Sequence, residues 1–227
     1  MNKLINNKNP HSLTTLFFTE MWERFSYYGM RALLVLYLVN SLNYSNEEAL
    51  HIYAIYTGLV YLTPIIGGYL ADRYLGTQKT IFIGGITMML GHFLMAFPNL
   101  LYLAMGLLII GNGYFKPNIS TLLGKLYKTN DTRRDSGFSI FYIGINLGAF
   151  LAPLIVGYVG ETINWHYGFA IAGIGMFAGL IQFYFGQNKI VEEDTSKKTK
   201  KLDFSDWGSI LFFSLINIPI ILLVFKI

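Results

Sequence analysis

The chain has 227 residues, of which 53% are hydrophobic and 13% are charged, and its formal net charge is +4. A soluble domain usually carries about 25% charged residues, so this chain has too few charges to cover a soluble surface of its size. The composition, with no cysteine, excludes an ordinary soluble enzyme, a secreted disulfide scaffold and a disordered regulator. It favours an all-α integral membrane protein.

Seven apolar stretches are long enough to cross a bilayer core, which needs about 20 apolar residues per helix. In chain order they cover residues 12–42, 48–72, 79–97, 100–124, 136–160, 165–186 and 207–226. The polar N-terminus is followed by an apolar stretch too long for a signal-peptide core, so no cleavable signal is predicted. We expect a bundle over 1–186, a basic cytoplasmic linker over 187–206 and an additional hydrophobic helix over 207–227.

Lysine and arginine are concentrated on one side of the predicted bundle. The links 43–47, 97–99 and 161–164 contain neither residue. The N-terminus, the alternate links and their flanks hold 13 of the 17: Lys3, Lys8, Arg73, Lys79, Lys125, Lys128, Arg133, Arg134, Lys189, Lys197, Lys198, Lys200 and Lys201. The positive-inside rule places the N-terminus in the cytoplasm. We interpret the basic links as determinants of topology, not as a nucleic-acid surface, and expect a multi-pass protein in contact with the lipid of the cell (inner) membrane.

Prolines lie inside four of the predicted helices, at Pro64, Pro117, Pro153 and Pro219. Each removes a backbone donor and tends to kink its helix. The sequence leaves open whether these are ordinary membrane-helix prolines or bends beside a cavity.

The first predicted helix carries a stripe of polar residues. Glu20, Glu23, Arg24, Tyr27 and Arg31 fall within an arc of about 100° on a helix. An ionised residue at a membrane-helix centre costs about 2.5–3.5 kcal/mol, so these charges must face a shared polar interior, paired or hydrated.

With Lys116 in the fourth helix, the set has two acids and three bases. The excess of one positive charge suits an anionic ligand group. A pathway for ions or a polar solute is the favoured interpretation, and a purely structural ion-pair network is the alternative.

Four motifs resemble the proton-dependent oligopeptide transporter family of the major facilitator superfamily. The first, from Glu20 to Gly29, is similar to the family's ExxER signature, and the second, from Gly68 to Lys79, is similar to the superfamily's loop motif. The third begins at Gly113 and includes Lys116, and the fourth runs from Phe138 to Gly148. The resemblance implies the N-terminal six-helix bundle of the fold plus one helix, and a second bundle that this chain lacks.

The resemblance also implies roles for individual residues. Glu20, Glu23 and Lys116 would couple transport to protons, with no other cofactor. The binding site for short peptides would comprise Arg24, Arg31, Tyr27, Tyr28, Tyr61, Lys116 and Asn146. A cytoplasmic gating motif would comprise Gly68, Asp72, Arg73, Gly76 and Lys79.

Several alternatives stay open. The carrier could take another small organic solute, or the chain could be a half-length remnant or assembly partner that transports nothing. Arg31 could instead snorkel or pair with an acid, and Gly144 with Gly148 indicates close helix packing. Asparagine beside glycine is interpreted as a helix contact. No metal cluster, phosphate loop or nucleophile arrangement is evident in the sequence, so an enzyme is not expected.

Overall fold

The computed structural model describes residues 10–128, 130–190, 206, 208 and 210–212, and every regular element within them is helical. Helix α1 spans Ser12–Asn40 and is about 44 Å long at 1.5 Å per residue. Helix α2, Asn46–Leu62, begins with a capping box in which Ser45 and Glu48 satisfy each other's backbone donors. Thr63 then separates α2 from α3, Pro64–Leu70, because Pro64 lacks the amide proton that would continue the helix.

A π-helical turn, Ala71–Leu75, ends the second span at Gly76. The φ angle of Gly76 is 79°, a left-handed conformation that favours glycine. Helix α4, Thr77–Leu94, starts directly after it. A short 3₁₀ turn, Pro98–Leu100, then leads into α5, Leu101–Gly124, which contains Pro117 in its interior.

The last part of the described bundle runs from α6 to α8. Helix α6, Arg134–Ala152, continues through a π-helical turn, Pro153–Gly157, into α7, Tyr158–Thr162. Asn164 caps α8, Trp165–Gly186, by accepting the His166 amide, and a 3₁₀ turn follows. The bounds of the first six predicted helices are confirmed to within a few residues.

Within the part of the chain that the structure describes, four helical spans are by length and composition able to cross a membrane: Asn46–Leu75, Pro98–Gly124, Arg134–Thr162 and Trp165–Lys189. The predicted seventh helix and the linker before it lie mostly outside the described residues. Of that region, 206, 208 and 210–212 are helical, and Ile210 packs into a buried cluster with Leu70, Leu75 and Tyr114. Pro219 also lies outside the described residues.

Helix α1 occupies the centre of the bundle and contacts α2, α4, α5, α6 and α8. Glycines allow this close packing. A Cβ atom on Gly144 would lie 3.0 Å from the carbonyl oxygen of Phe17, and one on Gly148 would lie 3.1 Å from Cβ of Arg24. The predicted close approach of Gly144 and Gly148 to a neighbouring helix is therefore confirmed, and the neighbour is α1.

The described basic links gather at one end of the bundle. Lys125 donates to Thr77 Oγ1 at 2.7 Å, which joins the end of α5 to the start of α4. Ser12 Oγ donates to the carbonyl oxygen of Lys189 at 2.7 Å, which joins the start of α1 to the turn after α8. In the link between α5 and α6, hydrogen bonds from Arg133 lower the pKa of Asp131 to about 2.

Candidate functional site: a buried ion-pair network between α1 and α5

Two carboxylates of α1 form the centre of the site. Glu20 and Glu23 both have fully buried side chains (0% exposed), and they face α5. Lys116 of α5 places Nζ 2.7 Å from Glu20 Oε1, and its side chain remains 33% exposed. The polar stripe of the first predicted helix, α1, and the lysine of the fourth predicted helix, α5, therefore meet, as the sequence predicts.

Arg24 binds both carboxylates. Its Nη2 donates to Glu23 Oε1 at 2.6 Å, and its Nε donates to Glu23 Oε2. The same Nε lies 3.4 Å from Glu20 Oε1, the oxygen that also accepts from Lys116. Two acids and two bases thus form one neutral network, in which Glu20 has two basic partners. A paired arrangement of this kind offsets part of the cost of burying the charges.

Asn112 extends the network on α5. Its Nδ2 donates to Glu23 Oε1 at 3.4 Å, and Asn112 is itself buried. It lies one helical turn before Lys116, so α5 presents a donor to each acid of α1. Sequence reasoning assigned this asparagine only to helix contacts. The signal available was its i, i+4 spacing from Lys116, although Asn112 lies one residue before the motif that begins at Gly113.

Arg31 lies apart from the acids and is surrounded by tyrosines. Its Nε donates to the hydroxyl of Tyr53 at 2.9 Å, and Nη2 contacts the same oxygen. Its guanidinium carbon is 5.5, 5.9 and 5.3 Å from the ring centroids of Tyr27, Tyr28 and Tyr53, within cation–π range. The excess positive charge predicted for the site is therefore located on Arg31. Tyr53, a residue that sequence reasoning missed, supplies its hydrogen-bond partner.

The predicted neutral contacts have different surroundings. Tyr28 stacks edge to face on Tyr27 at 5.3 Å and is half-buried. Tyr61 is 72% exposed. Asn146 is exposed, and its amide donates to the carbonyl oxygen of Tyr142 in its own helix at 2.9 Å. The roles of these three residues in binding stay predictions.

The predicted gating motif surrounds the π-helical turn after α3. Asp72, Arg73 and Lys79 are exposed, and the Arg73 guanidinium lies 6.0 Å from the Tyr69 ring and 5.8 Å from the Tyr74 ring. Gly68 faces α5, where a Cβ would lie 4.0 Å from Cβ of Pro117. The motif is thus assembled at the basic end of the bundle, and its gating role stays a prediction.

The described residues contain no group of three His, Asp or Glu side chains that could hold a metal ion. The chemistry that the site offers is exchange of protons and of ion-pair partners. Carboxylates and basic groups at hydrogen-bond distance are the groups that can take part in such exchange.

Comparison with known proteins identifies the family. The model of the POT family matches residues 78–215. The chain is 53% identical over 189 residues to the Bacillus subtilis protein "Uncharacterized transporter YclF", covering 80% of this chain and 38% of that protein. It is 47% identical over 204 residues to a "Di-/tripeptide transporter" of Lactococcus lactis, covering 86% of this chain and 41% of that protein.

A solved structure of a mutant "peptide transporter POT" in complex with alafosfalin matches with a TM-score of 0.83 and 43% identity, covering 96% of this chain and 47% of that one. The chain spans about two fifths of the length of these curated relatives and about half of the solved chain. The family and its solved members are transporters with this helical fold. From its motifs, its fold and these matches, the chain belongs to the POT family of peptide transporters.

Proposed function

We propose that this chain forms the N-terminal half of a proton-coupled carrier that moves di- and tripeptides across the cell (inner) membrane by alternating access. Its N-terminus lies in the cytoplasm, and a second six-helix bundle completes the transport path. Family membership and the relative named as a di-/tripeptide transporter support the substrate class. The arrangement of charges between α1 and α5 supports the coupling.

The observation that carries the proposal is the shared oxygen of Glu20. Lys116 and Arg24 both approach Glu20 Oε1, at 2.7 and 3.4 Å. Its other oxygen, Oε2, is buried and has no hydrogen-bond partner in the described part of the chain. A proton placed on Glu20 neutralises the acid and weakens its hold on Lys116. Intramembrane carboxylates paired in this way are typical of proton pathways.

Protonation and peptide binding are linked through the basic groups. When the acids are charged, they hold Lys116 and Arg24; when an acid takes up a proton, a basic group becomes available to the peptide carboxylate. A guanidinium can bind a carboxylate through two parallel hydrogen bonds. Arg31 is not held by the acids: its hydrogen bond goes to the neutral phenol of Tyr53, so this guanidinium can bind a carboxylate whether or not the acids are protonated.

The remaining contacts suit a peptide of variable side chains. Tyr27, Tyr28 and Tyr61 present ring faces with a single hydroxyl, and Asn146 presents an amide. Such groups accept different side chains while bonding a constant backbone.

The gating motif would close the cytoplasmic end of the carrier against the second bundle, and it comprises Gly68, Asp72, Arg73, Gly76 and Lys79. The proton is the coupling ion, with no further cofactor.

Uptake into proteoliposomes tests this proposal. The protein encoded by the full reading frame is reconstituted, and accumulation of labelled dialanine is measured with and without an inward proton gradient. We expect accumulation above the external concentration only with the gradient, and loss of accumulation on adding a protonophore. Unlabelled tripeptide should compete, whereas nitrate and free alanine should not. Gradient-independent equilibration, or competition by nitrate alone, would contradict the proposal.

A further inference from the structure

Asn112 donates to Glu23 but takes no part in the proposed exchange of protons and ion-pair partners. We propose that Asn112 is a positioning residue that holds Glu23 in its charged, Arg24-paired form and thereby sets the pH at which the carrier loads its proton. This inference rests on the proposed function, since it concerns the proton-linked acids of that same site.

The first argument is geometric. On α1, Glu20 and Glu23 are three positions apart, and on α5, Asn112 and Lys116 are four positions apart, so each pair lies on one helix face. Lys116 bonds Glu20 at 2.7 Å, and Asn112 bonds Glu23 at 3.4 Å. The two helices are therefore joined by parallel contacts, one charged and one neutral. Each acid receives one donor from α5 in addition to Arg24.

The second argument is the chemistry of the neutral donor. An amide N–H donates to a carboxylate, stabilises the charged form and does not itself change charge with pH. A lysine at position 112 would compete with the proton for Glu23 as a second cation. The neutral asparagine only shifts the equilibrium between the charged and the protonated form of Glu23. Glu23 Oε1 accepts from both Arg24 Nη2 and Asn112 Nδ2, so loss of the amide leaves Arg24 as the remaining donor recorded for that oxygen.

The surroundings of Glu23 identify the other groups that influence its charge. Arg24 and Glu20 face it from α1, Lys116 faces it from α5, and Tyr56 of α2 and Tyr27 interact with it electrostatically. From α8, Gly179 approaches the backbone of Glu23, where a Cβ would lie 3.9 Å from the Glu23 nitrogen. From α6, Gly148 approaches Arg24. Unlike the titratable side chains named here, Asn112 bonds Glu23 through an amide whose charge does not change with pH.

The test compares two asparagines of α5. Asn112→Leu removes the donor, and Asn112→Asp keeps the shape but replaces the amide by a carboxyl group. Asn118→Leu is the matched control: Asn118 is equally buried on the same helix, but its amide donates to the backbone oxygens of Gly67 and Tyr114. A purely structural role for Asn112 would make its variants behave like Asn118→Leu, with reduced yield or thermal stability only.

Two readouts separate this inference from the proposed function. In proteoliposomes, the pH midpoint of gradient-driven dialanine uptake should rise by about 0.5 to 1 pH unit in both Asn112 variants. Asn112→Leu removes a donor from the Glu23 carboxylate, and Asn112→Asp places a second acid beside it, and each change favours the protonated form of Glu23. The midpoint should stay unchanged in Asn118→Leu. In the purified protein, infrared titration of the carboxyl band that disappears in Glu23→Gln should show the same rise, whether or not the protein transports.

An unchanged midpoint of the Glu23 band in both Asn112 variants would overturn the inference, even if uptake by the wild type is proton-driven. An absence of gradient-driven uptake by the wild type would instead overturn the proposed function, and the infrared titration would still decide the role of Asn112. If Asn112→Leu does not fold, the isosteric Asn112→Asp decides the outcome by the same band.

Discussion

Lys116 of α5 and Glu20 of α1 form an ion pair with 2.7 Å between Nζ and Oε1, although 96 positions separate them in the sequence. The two partners differ in environment, since the Glu20 side chain is fully buried and the Lys116 side chain is 33% exposed. Lys116 can therefore leave the pair toward a more open region while Glu20 stays in place. Arg24, 3.4 Å from the same oxygen, remains as the second partner.

The contact between Tyr53 and Arg31 predicts an effect on peptide affinity. Tyr53→Phe keeps the ring beneath the guanidinium but removes the hydroxyl that accepts from Arg31 at 2.9 Å. Because Arg31 is only partly buried, we expect a cost of about 1 kcal/mol, which corresponds to a rise in KM for dialanine of about fivefold at unchanged kcat. Initial rates of gradient-driven uptake over a concentration series measure both constants.

The matched control is Tyr44→Phe, which removes a hydroxyl bonded to Tyr102 at 3.0 Å, away from the ion-pair network. This variant should leave the KM for dialanine unchanged. A KM in Tyr53→Phe equal to or below that of the wild type would show that Tyr53 does not orient Arg31 for the substrate.

The contact between α3 and α5 predicts an effect on stability. A Cβ on Gly67 would lie 2.5 Å from the carbonyl carbon of Gly113 and 2.8 Å from Cα of Tyr114, and neither backbone atom can rotate away. Overpacking of this kind costs about 1–3 kcal/mol. We expect Gly67→Ala to lower the melting temperature of the detergent-solubilised protein by about 5 °C.

Gly58→Ala provides the comparison for Gly67→Ala, because a Cβ on Gly58 meets no atom within 4 Å. Alanine has the higher helix propensity, by about 1 kcal/mol, so Gly58→Ala should melt no lower than the wild type. Equal melting temperatures for the two variants would mean that α3 and α5 do not pack as closely as described.

The sequence predicts the charged centre of the site well, because burial forces the charges together. Exposing a charged side chain to lipid costs free energy, so the charges of α1 and α5 must face each other. Their spacing places those of each helix on one face: Glu20, Glu23 and Arg24 on α1 and Lys116 on α5. The same argument locates the bundle helices, whose length is set by the bilayer. The close approach at Gly144 and Gly148 follows from their four-residue spacing.

The neutral contacts are harder to predict, because an uncharged side chain exposed to lipid does not carry the large free-energy cost that restricts the charged residues. With 16 tyrosines in the chain, nothing in the sequence distinguishes Tyr53 as the partner of Arg31. Asn112 beside glycines has the appearance of an ordinary packing residue until its distance to Glu23 is known. The π-helical turns Ala71–Leu75 and Pro153–Gly157 depend on how each helix packs. Pro153 begins the second of these turns and Pro64 marks the break between α2 and α3, whereas Pro117 lies inside a continuous α5.

The measurement that tests the central claim most directly compares two assays on Lys116→Ala in the full-length protein. Without Lys116, protonation of Glu20 no longer releases a cation from α5, so gradient-driven accumulation of dialanine should fall to background. Exchange of labelled for unlabelled dialanine across the same proteoliposome membrane, which requires no net proton movement, should be less affected. Gradient-driven accumulation at the wild-type level in Lys116→Ala would contradict the account.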